Sequence, residues 1–497
     1  MSMPSDENRS PGAASLRRTR SLLLRGVGLC YASAFGSLAV QVEGLIGSRG
    51  MLPAREFLDH ARQALGPSAY RELPTVFWLD ASDASLLAVA WGGAAAGALV
   101  VAGVSPKPLL ALLWAGYLSL AVAGQEFLGY QWDMLLLEAG FLSVLTAPWG
   151  LWLPAARGEP SRVAVFLFRW LLFRLMFLSG VVKLRSGDPT WWALDALKYH
   201  YETQPIPAWT SWYAHNAPAW FHRLSAGFMF IVELPVPFLM FGTRWMRRAA
   251  FFLTAGLQLG ILATGNYGFF NVLTLVLCVA LLDDRDLAWL RLGREETPQP
   301  PAPGHWGRRV LLAGLAAVLI GVSGHQTLEA VAPRVPTFWP LELARETLAP
   351  FRSLNTYGLF AVMTTERPEI TVEGSNDGET WLPYRFRWKA GEPGRPPRFA
   401  TPHLPRLDWQ MWFAALSGDC RGEPWFLQFE QRLLEGSPPV LALLRENPFP
   451  NTPPRLIRAR ISSYRFTRPP TRDWWSIEGN TSFCPPIELR NAGPAAP

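Results

Sequence analysis

Residues 129–142 read GYQWDMLLLEAGFL, a stretch apolar enough to cross a bilayer that nevertheless carries Gln131, Asp133 and Glu138. A carboxylate at the centre of a membrane helix costs about 2.5–3.5 kcal/mol on insertion scales, so such groups persist where they are paired, face a cavity or serve a function. Which of these holds here decides how the chain is folded.

Outward from that stretch the chain reads as a membrane protein. Its 497 residues are 49% hydrophobic and 17% charged, against about 25% charged in an ordinary soluble domain. The charge sits in Arg- and Pro-rich connectors between apolar runs, several reaching the roughly 18 residues that span a hydrocarbon core. Spans are predicted near 21–42, 84–104, 108–125, 132–150, 163–182, 225–241, 249–265, 267–283 and 309–324, nine in all. Short cytoplasmic loops are enriched in Lys and Arg. An inside amino terminus (tail 1–20) puts Arg17, Arg18, Arg20, Arg25, Lys107, Arg157 and Arg162 on the cytoplasmic side, and further along Arg244, Arg247, Arg248, Arg285, Arg291, Arg294, Arg308 and Arg309. That asymmetry accounts for the net charge of +7 without nucleic-acid binding. The other face receives the loops 43–83 and 183–224 and the turn GNYG (265–268). The opening stretch of the chain could pass for a signal peptide, but without a small-residue cleavage site ahead of the polar loop it reads as a retained first span.

After the membrane domain (21–325) the pattern changes. ITVEGSNDGETWLPYRFRW (370–388) alternates like a strand and breaks at Asn-Asp-Gly, a hairpin signal. YGLFAVM (357–363), WQMWFAAL (409–416) and RLIRARISSYRF (455–466) read as further strands, separated by Pro-rich connectors. The fold class expected is therefore a polytopic α-helical membrane protein carrying a C-terminal extracytoplasmic antiparallel β domain (336–497), a β-sandwich. Cys30 and Cys278 fall in spans, where a buried thiol acts as a small apolar filler. Cys420 and Cys484 share the outer domain and can pair in an oxidising compartment.

The deep charges are of both signs, Glu138 and Glu233 against Arg169 and Arg174. One reading pairs them inside the bundle, with Glu138 neutralised by Arg169 or Arg174 of the next span. The other lines a hydrated cavity with them. Gln131, Trp132 and Asp133, nearer the surface, are expected to contact the start of the 183–224 loop around Lys183 and Arg185. That loop holds Lys183, Asp188, His200, Glu202, Gln204, His215 and His222, enough acid and base groups for chemistry, with Lys183 or His200 as a candidate base. Trp191, Trp192, Trp209, Trp212 and Trp220 suit headgroup-level anchoring. No H-E-x-x-H helix, C-x-x-C pair or phosphate-cradling glycine loop occurs, so neither a metal nor a cofactor is expected.

The phrases YQWDMLLLEAGFL, RWLLFRLMFLSGVVKLRSGDPTWW, LKYHYETQPIPAW and GNYGFFNVLTLVLCVALLDD, followed by NTYGLFAVMTTERPEITVEGSNDG and PHLPRLDWQMWFAAL, together resemble the lipase maturation factor family, from about residue 125 to about 475. The resemblance implies a multi-pass membrane protein that, in animals, sits in the endoplasmic reticulum and helps dimeric lipases fold and assemble. The membrane part is also distantly similar to the helical domain of vitamin K-dependent carboxylases, which keeps an enzyme acting on a lipid or protein at the outer face as the alternative. No G-x-S-x-G nucleophile elbow is present, which argues against the chain being a lipase itself. The Ala-, Arg-, Pro- and Trp-rich composition looks bacterial, which would make the membrane a bacterial inner membrane. The expected partners are membrane lipids and a secreted lipase or related client.

Overall fold

The structure, a computed structural model, describes residues 15–153, 158–288, 306–336 and 338–489. Arg157, Arg291 and Arg294 lie outside them, as do the side chains of Arg308 and Arg309. Among the described residues, five helices are long and apolar enough to cross a membrane: Arg17–Ala39, Asp83–Ala102, Pro106–Ala123, Arg162–Arg185 and the Val310–Val331 part of Trp306–Val331. The remaining expected spans are also helical, but shorter or less apolar. Gln131–Thr146 stops at 16 residues, because Ala147 precedes Pro148 and is forced extended. Ala219–Glu233 breaks at Leu234, where Pro235 and Pro237 remove backbone donors, and resumes as Val236–Leu239. Arg244–Thr264 is followed by Phe270–Cys278, which tightens into a 3-10 turn over Val279–Leu281.

Arg17–Ala39 and Asp83–Ala102 pack with their backbones in near contact. A Cβ on Gly97 would lie 2.7 Å from the Ala32 nitrogen, and one on Gly28 would lie 2.8 Å from Val100 Cγ1. Small residues permit that approach, and with it the van der Waals contact that holds helices together where no hydrophobic driving force exists.

The two ends of the bundle differ. At one, Asp284 accepts from the backbone nitrogens of Arg17 and Arg18, each at 2.9 Å, so the first helix starts on a carboxylate that satisfies its free donors. Arg244 and Arg248 converge on Asp286 at the same end. The opposite end carries the short helices Val42–Ile46, Leu197–Thr203 and Trp209–His215, and onto these the C-terminal part docks.

There the described residues form a single four-stranded antiparallel sheet in the order β2-β1-β3-β4, with β1 Arg367–Ser375, β2 Leu382–Pro383, β3 Leu456–Phe466 and β4 Trp475–Glu488. The hairpin read at Asn-Asp-Gly joins β1 to β2, with Glu373 opposite Pro383 and Gly378 at φ +80°. A second sheet is not formed among the described residues, because two segments read as strands are something else. WQMWFAAL lies in the helix Arg406–Ser417, which follows Pro405 and ends at left-handed Gly418. Residues from Arg406 to Trp412 are all buried between bundle and sheet, so no apolar/polar alternation marks its faces. YGLFAVM is irregular because the bundle takes its backbone groups: Gly358 with Gln131, Phe360 O with Trp191, and the Met363 amide with Asp188.

Candidate functional site

The carboxylates of the opening stretch are satisfied across the boundary between bundle and C-terminal part. Glu138 accepts from Arg174 Nη2 and, at 2.7 Å, from the Tyr357 hydroxyl. Arg174 also donates to Asn355 O at 2.9 Å. Both charged side chains are buried, at 3% and 2% exposure, so in their low-dielectric surroundings the pair needs the extra hydrogen bonds to offset desolvation. Arg169 is not the counter-ion. Five residues earlier on the same helix, it donates to Ala280 O at 2.7 Å near the opposite end.

Asp133 does not meet the Lys183–Arg185 region. It receives a two-pronged contact from Arg406, at 2.6 and 2.7 Å, and a hydrogen bond from the Tyr117 hydroxyl. Arg406 further donates to Phe127 O, and its backbone nitrogen to Gln41. Gln131 closes a reciprocal pair with Gly358 (2.9 and 3.1 Å). Trp132 packs between Tyr130 and Trp409. Arg185 instead donates to Ala330 O.

Lys183 donates to both oxygens of Glu233, at 2.9 and 3.1 Å, and to Ser179 O. This pair lines a cavity of about 600 Å³ between the helices Arg162–Arg185, Ala219–Glu233 and Arg244–Thr264. His200 lines it too, in contact with the Tyr267 hydroxyl at 3.1 Å, which donates to Gln204 Oε1 at 2.9 Å. Burial, with Lys183 adding, pushes the His200 imidazole down to about 4. Glu138 is absent from that lining, so the cavity reading of the deep charges does not extend to Glu138 among the described residues.

The other loop groups serve the junction. Asp188 caps Pro189–Trp192 through the Thr190 amide and holds the Met363 amide. Glu202 accepts from the Phe466 nitrogen at 2.9 Å, and burial raises its carboxyl above the usual range. His215 lies 3.7 Å from Glu202, and burial pushes it down to about 4. His222 meets Ala217 O. Trp191 and Trp212 are buried, while Trp192, Trp209 and Trp220 are exposed as anchors require. Cys420 and Cys484 form a disulfide with Cα atoms 5.5 Å apart. No group of three or more His, Cys, Asp or Glu is placed for a metal ion among the described residues.

Sequence reasoning missed Arg406, Tyr357 and Arg367. Arg367, on β1, donates to the carbonyls of Glu202, Gln204 and Pro205 and to Glu369. The available signal was an arginine embedded in apolar surroundings, as in LPRLDW, which is seldom fully buried unless paired.

This arrangement defines a class: a membrane protein of apolar helices whose buried charges pair within the bundle, as Glu138 with Arg174, or with a C-terminal domain locked onto one end of it, as Asp133 with Arg406. A family model described as lipase maturation factor transmembrane domain matches residues 18–289, and one described as lipase maturation factor C-terminal domain matches residues 353–485. The chain belongs to the lipase maturation factor family. It is 36% identical to lipase maturation factor 2 of Rattus norvegicus, over 96% of this chain and 84% of that protein. Against lipase maturation factor 2 of Homo sapiens the identity is 35% over 96% and 83%, and against lipase maturation factor 1 of Mus musculus 34% over 95% and 88%. No solved structure matches the chain.

Proposed function

We propose that this protein is a membrane-embedded maturation factor that assists the folding or assembly of secreted lipases. The observation that carries the reading is that similarity to relatives named lipase maturation factor runs through both the bundle and the C-terminal domain, over 96% of the chain. The bundle end bearing Arg17, Arg244 and Arg248 is cytoplasmic in this reading, following the enrichment of cations on that side. The C-terminal domain then faces the lumen or periplasm, where secreted clients fold and where a Cys420–Cys484 disulfide persists. The enzyme alternative is not favoured, since Glu138 and Asp133 are fully occupied by Arg174, Tyr357, Arg406 and Tyr117.

The test is deletion of the gene in its native host, followed by measurement of secreted lipase activity per unit lipase protein, with in-membrane crosslinking in the complemented strain. Lipase that is made but inactive, rescued by the chain and crosslinked to it, supports the reading. Unchanged specific activity with no lipase among the crosslinked proteins overturns it.

A further inference from the structure

The cavity beside Lys183, walled on one side by Leu359 and Phe360 where Trp191 donates to Phe360 O, has the construction of a ligand site. Its volume, about 600 Å³, falls within the roughly 300–1,000 Å³ of small-molecule sites. At about 30 Å³ per water-sized group, it has room for one long acyl chain with a small head.

The walls are apolar, with Leu175, Met229, Leu257 and Ile261 among the lining. The cavity opens sideways. Gly256 and Gly260 lie one turn apart on the same face of Arg244–Thr264, both exposed along the cavity, and a Cβ on either would meet nothing within 4 Å. Leu224 and Phe228 line the cavity while presenting apolar surface outward. An opening rimmed by exposed apolar side chains on a membrane helix faces lipid, so an occupant enters from the bilayer.

Two polar positions set its head group. At one, the buried Lys183–Glu233 pair carries no net charge, and burial holds the neighbouring His200 neutral. At the other, Asn271, 1% exposed, donates to Gln258 Oε1 at 2.7 Å, but its own Oδ1 has no partner among the described residues. Among the described residues, the Gln258 amide nitrogen finds only the Met176 thioether, at 3.7 Å. A buried amide oxygen left unpaired costs about 1–3 kcal/mol in general, and a hydroxyl, able both to donate and to accept, would satisfy the two amides together. With no uncompensated cation in the lining, a carboxylate or phosphate would be desolvated without a counter-charge.

We propose that this cavity binds a neutral, hydroxyl-bearing acylglycerol taken from the bilayer, with its chain between the helices Ala219–Glu233 and Arg244–Thr264 and a hydroxyl on the Gln258–Asn271 amide pair. The proposal is independent of the lipase client, because it concerns only this chain and lipid.

The experiment uses the full chain in phosphatidylcholine nanodiscs with a photoactivatable, diazirine-bearing monooleoylglycerol, and maps labelled peptides by mass spectrometry. Labelling is expected in the peptides bearing Leu175, Phe228 and Leu257, competed by unlabelled monooleoylglycerol and not by oleate. Gly256→Leu combined with Gly260→Phe fills the cavity from a face where a Cβ meets nothing, so labelling is lost while the unfolding midpoint is kept. Gly314→Leu, open in the same way on Trp306–Val331, keeps it. Labelling spread over the lipid-facing surface, labelling that survives the filled cavity, or equal competition by oleate overturns the proposal. Should the double variant not fold, the labelled positions and the competition pattern of the unaltered chain decide alone.

Discussion

Replacing Glu138 with Gln leaves Arg174 buried without its carboxylate. Removing one member of a buried ion pair costs about 3–5 kcal/mol, because the survivor stays desolvated and uncompensated, whereas replacing both with apolar groups is often near neutral. Glu138→Gln keeps an acceptor for the Tyr357 hydroxyl and so isolates the charge. Arg174→Met removes the cation and also the hydrogen bond to Asn355 O. Each single variant is expected to lose about 3 kcal/mol or more, and the double variant less than the sum by roughly 3 kcal/mol. Tyr357→Phe removes the 2.7 Å hydrogen bond to Glu138 while keeping the ring. Its cost lies between about 0.6 kcal/mol, the mean for polar pairs in a bilayer protein, and roughly 3 kcal/mol for a bond to a charged group. Arg169→Met is the control. Bonded to Ala280 O, it should add to Glu138→Gln within about 0.5 kcal/mol. The assay is denaturant unfolding of the full chain in detergent, followed by Trp fluorescence, with midpoints compared because a two-part membrane protein need not unfold in one step. Additive energies for Glu138 with Arg174, or coupling of Glu138 with Arg169 instead, would refute the assignment.

Other outcomes follow from the same contacts. Arg406→Met should loosen the C-terminal domain by about 3–5 kcal/mol through stranded Asp133, read as faster proteolysis within residues 338–366, and Asp133→Asn in the same background should restore part of the loss. Cys420→Ser should lower the stability of the C-terminal domain by about 4 kcal/mol, as the chain-entropy model gives for a cross-link with 64 residues of separation; two free thiols in unreduced peptides of the native protein would contradict it. Glu430, buried with both oxygens unpartnered among the described residues, has its carboxyl pushed up to about 8 by burial. Because the folded value lies above the unfolded one, its contribution is complete below about 4.5 and is lost as pH rises through about 8. Glu430→Gln should therefore flatten the pH dependence of unfolding over that window, and equal slopes for both proteins would rule the effect out. Reporter enzymes fused after Glu295 and after Pro340 should be active on opposite sides of the membrane; matching activity would invalidate the orientation.

The apolar helical character of the chain, five helices long enough to cross a membrane among the described residues and the β1–β2 turn were legible along the chain, because each is local. An apolar run of sufficient length is helical in a bilayer whatever its neighbours, and Asn-Asp-Gly bends through its own backbone preferences. The helix around WQMWFAAL was not legible. Periodicity separates helix from strand only when one face is solvated, and this segment is buried from Arg406 to Trp412. The ion pairs divide in the same way. Glu138 and Arg174 sit on consecutive helices, so their pairing could be read from antiparallel neighbours, but Tyr357, which completes the site, is 219 residues away from Glu138. Asp133 and Arg406 are 273 residues apart, and the reading that sent Asp133 toward Lys183 followed nearness in the chain. Composition determined that these charges exist and that each needs a partner inside a medium of low dielectric constant. Only the tertiary structure decided which partner, because Coulomb energy depends on the distance and burial reached when the C-terminal domain docks, and neither quantity is a property of sequence separation.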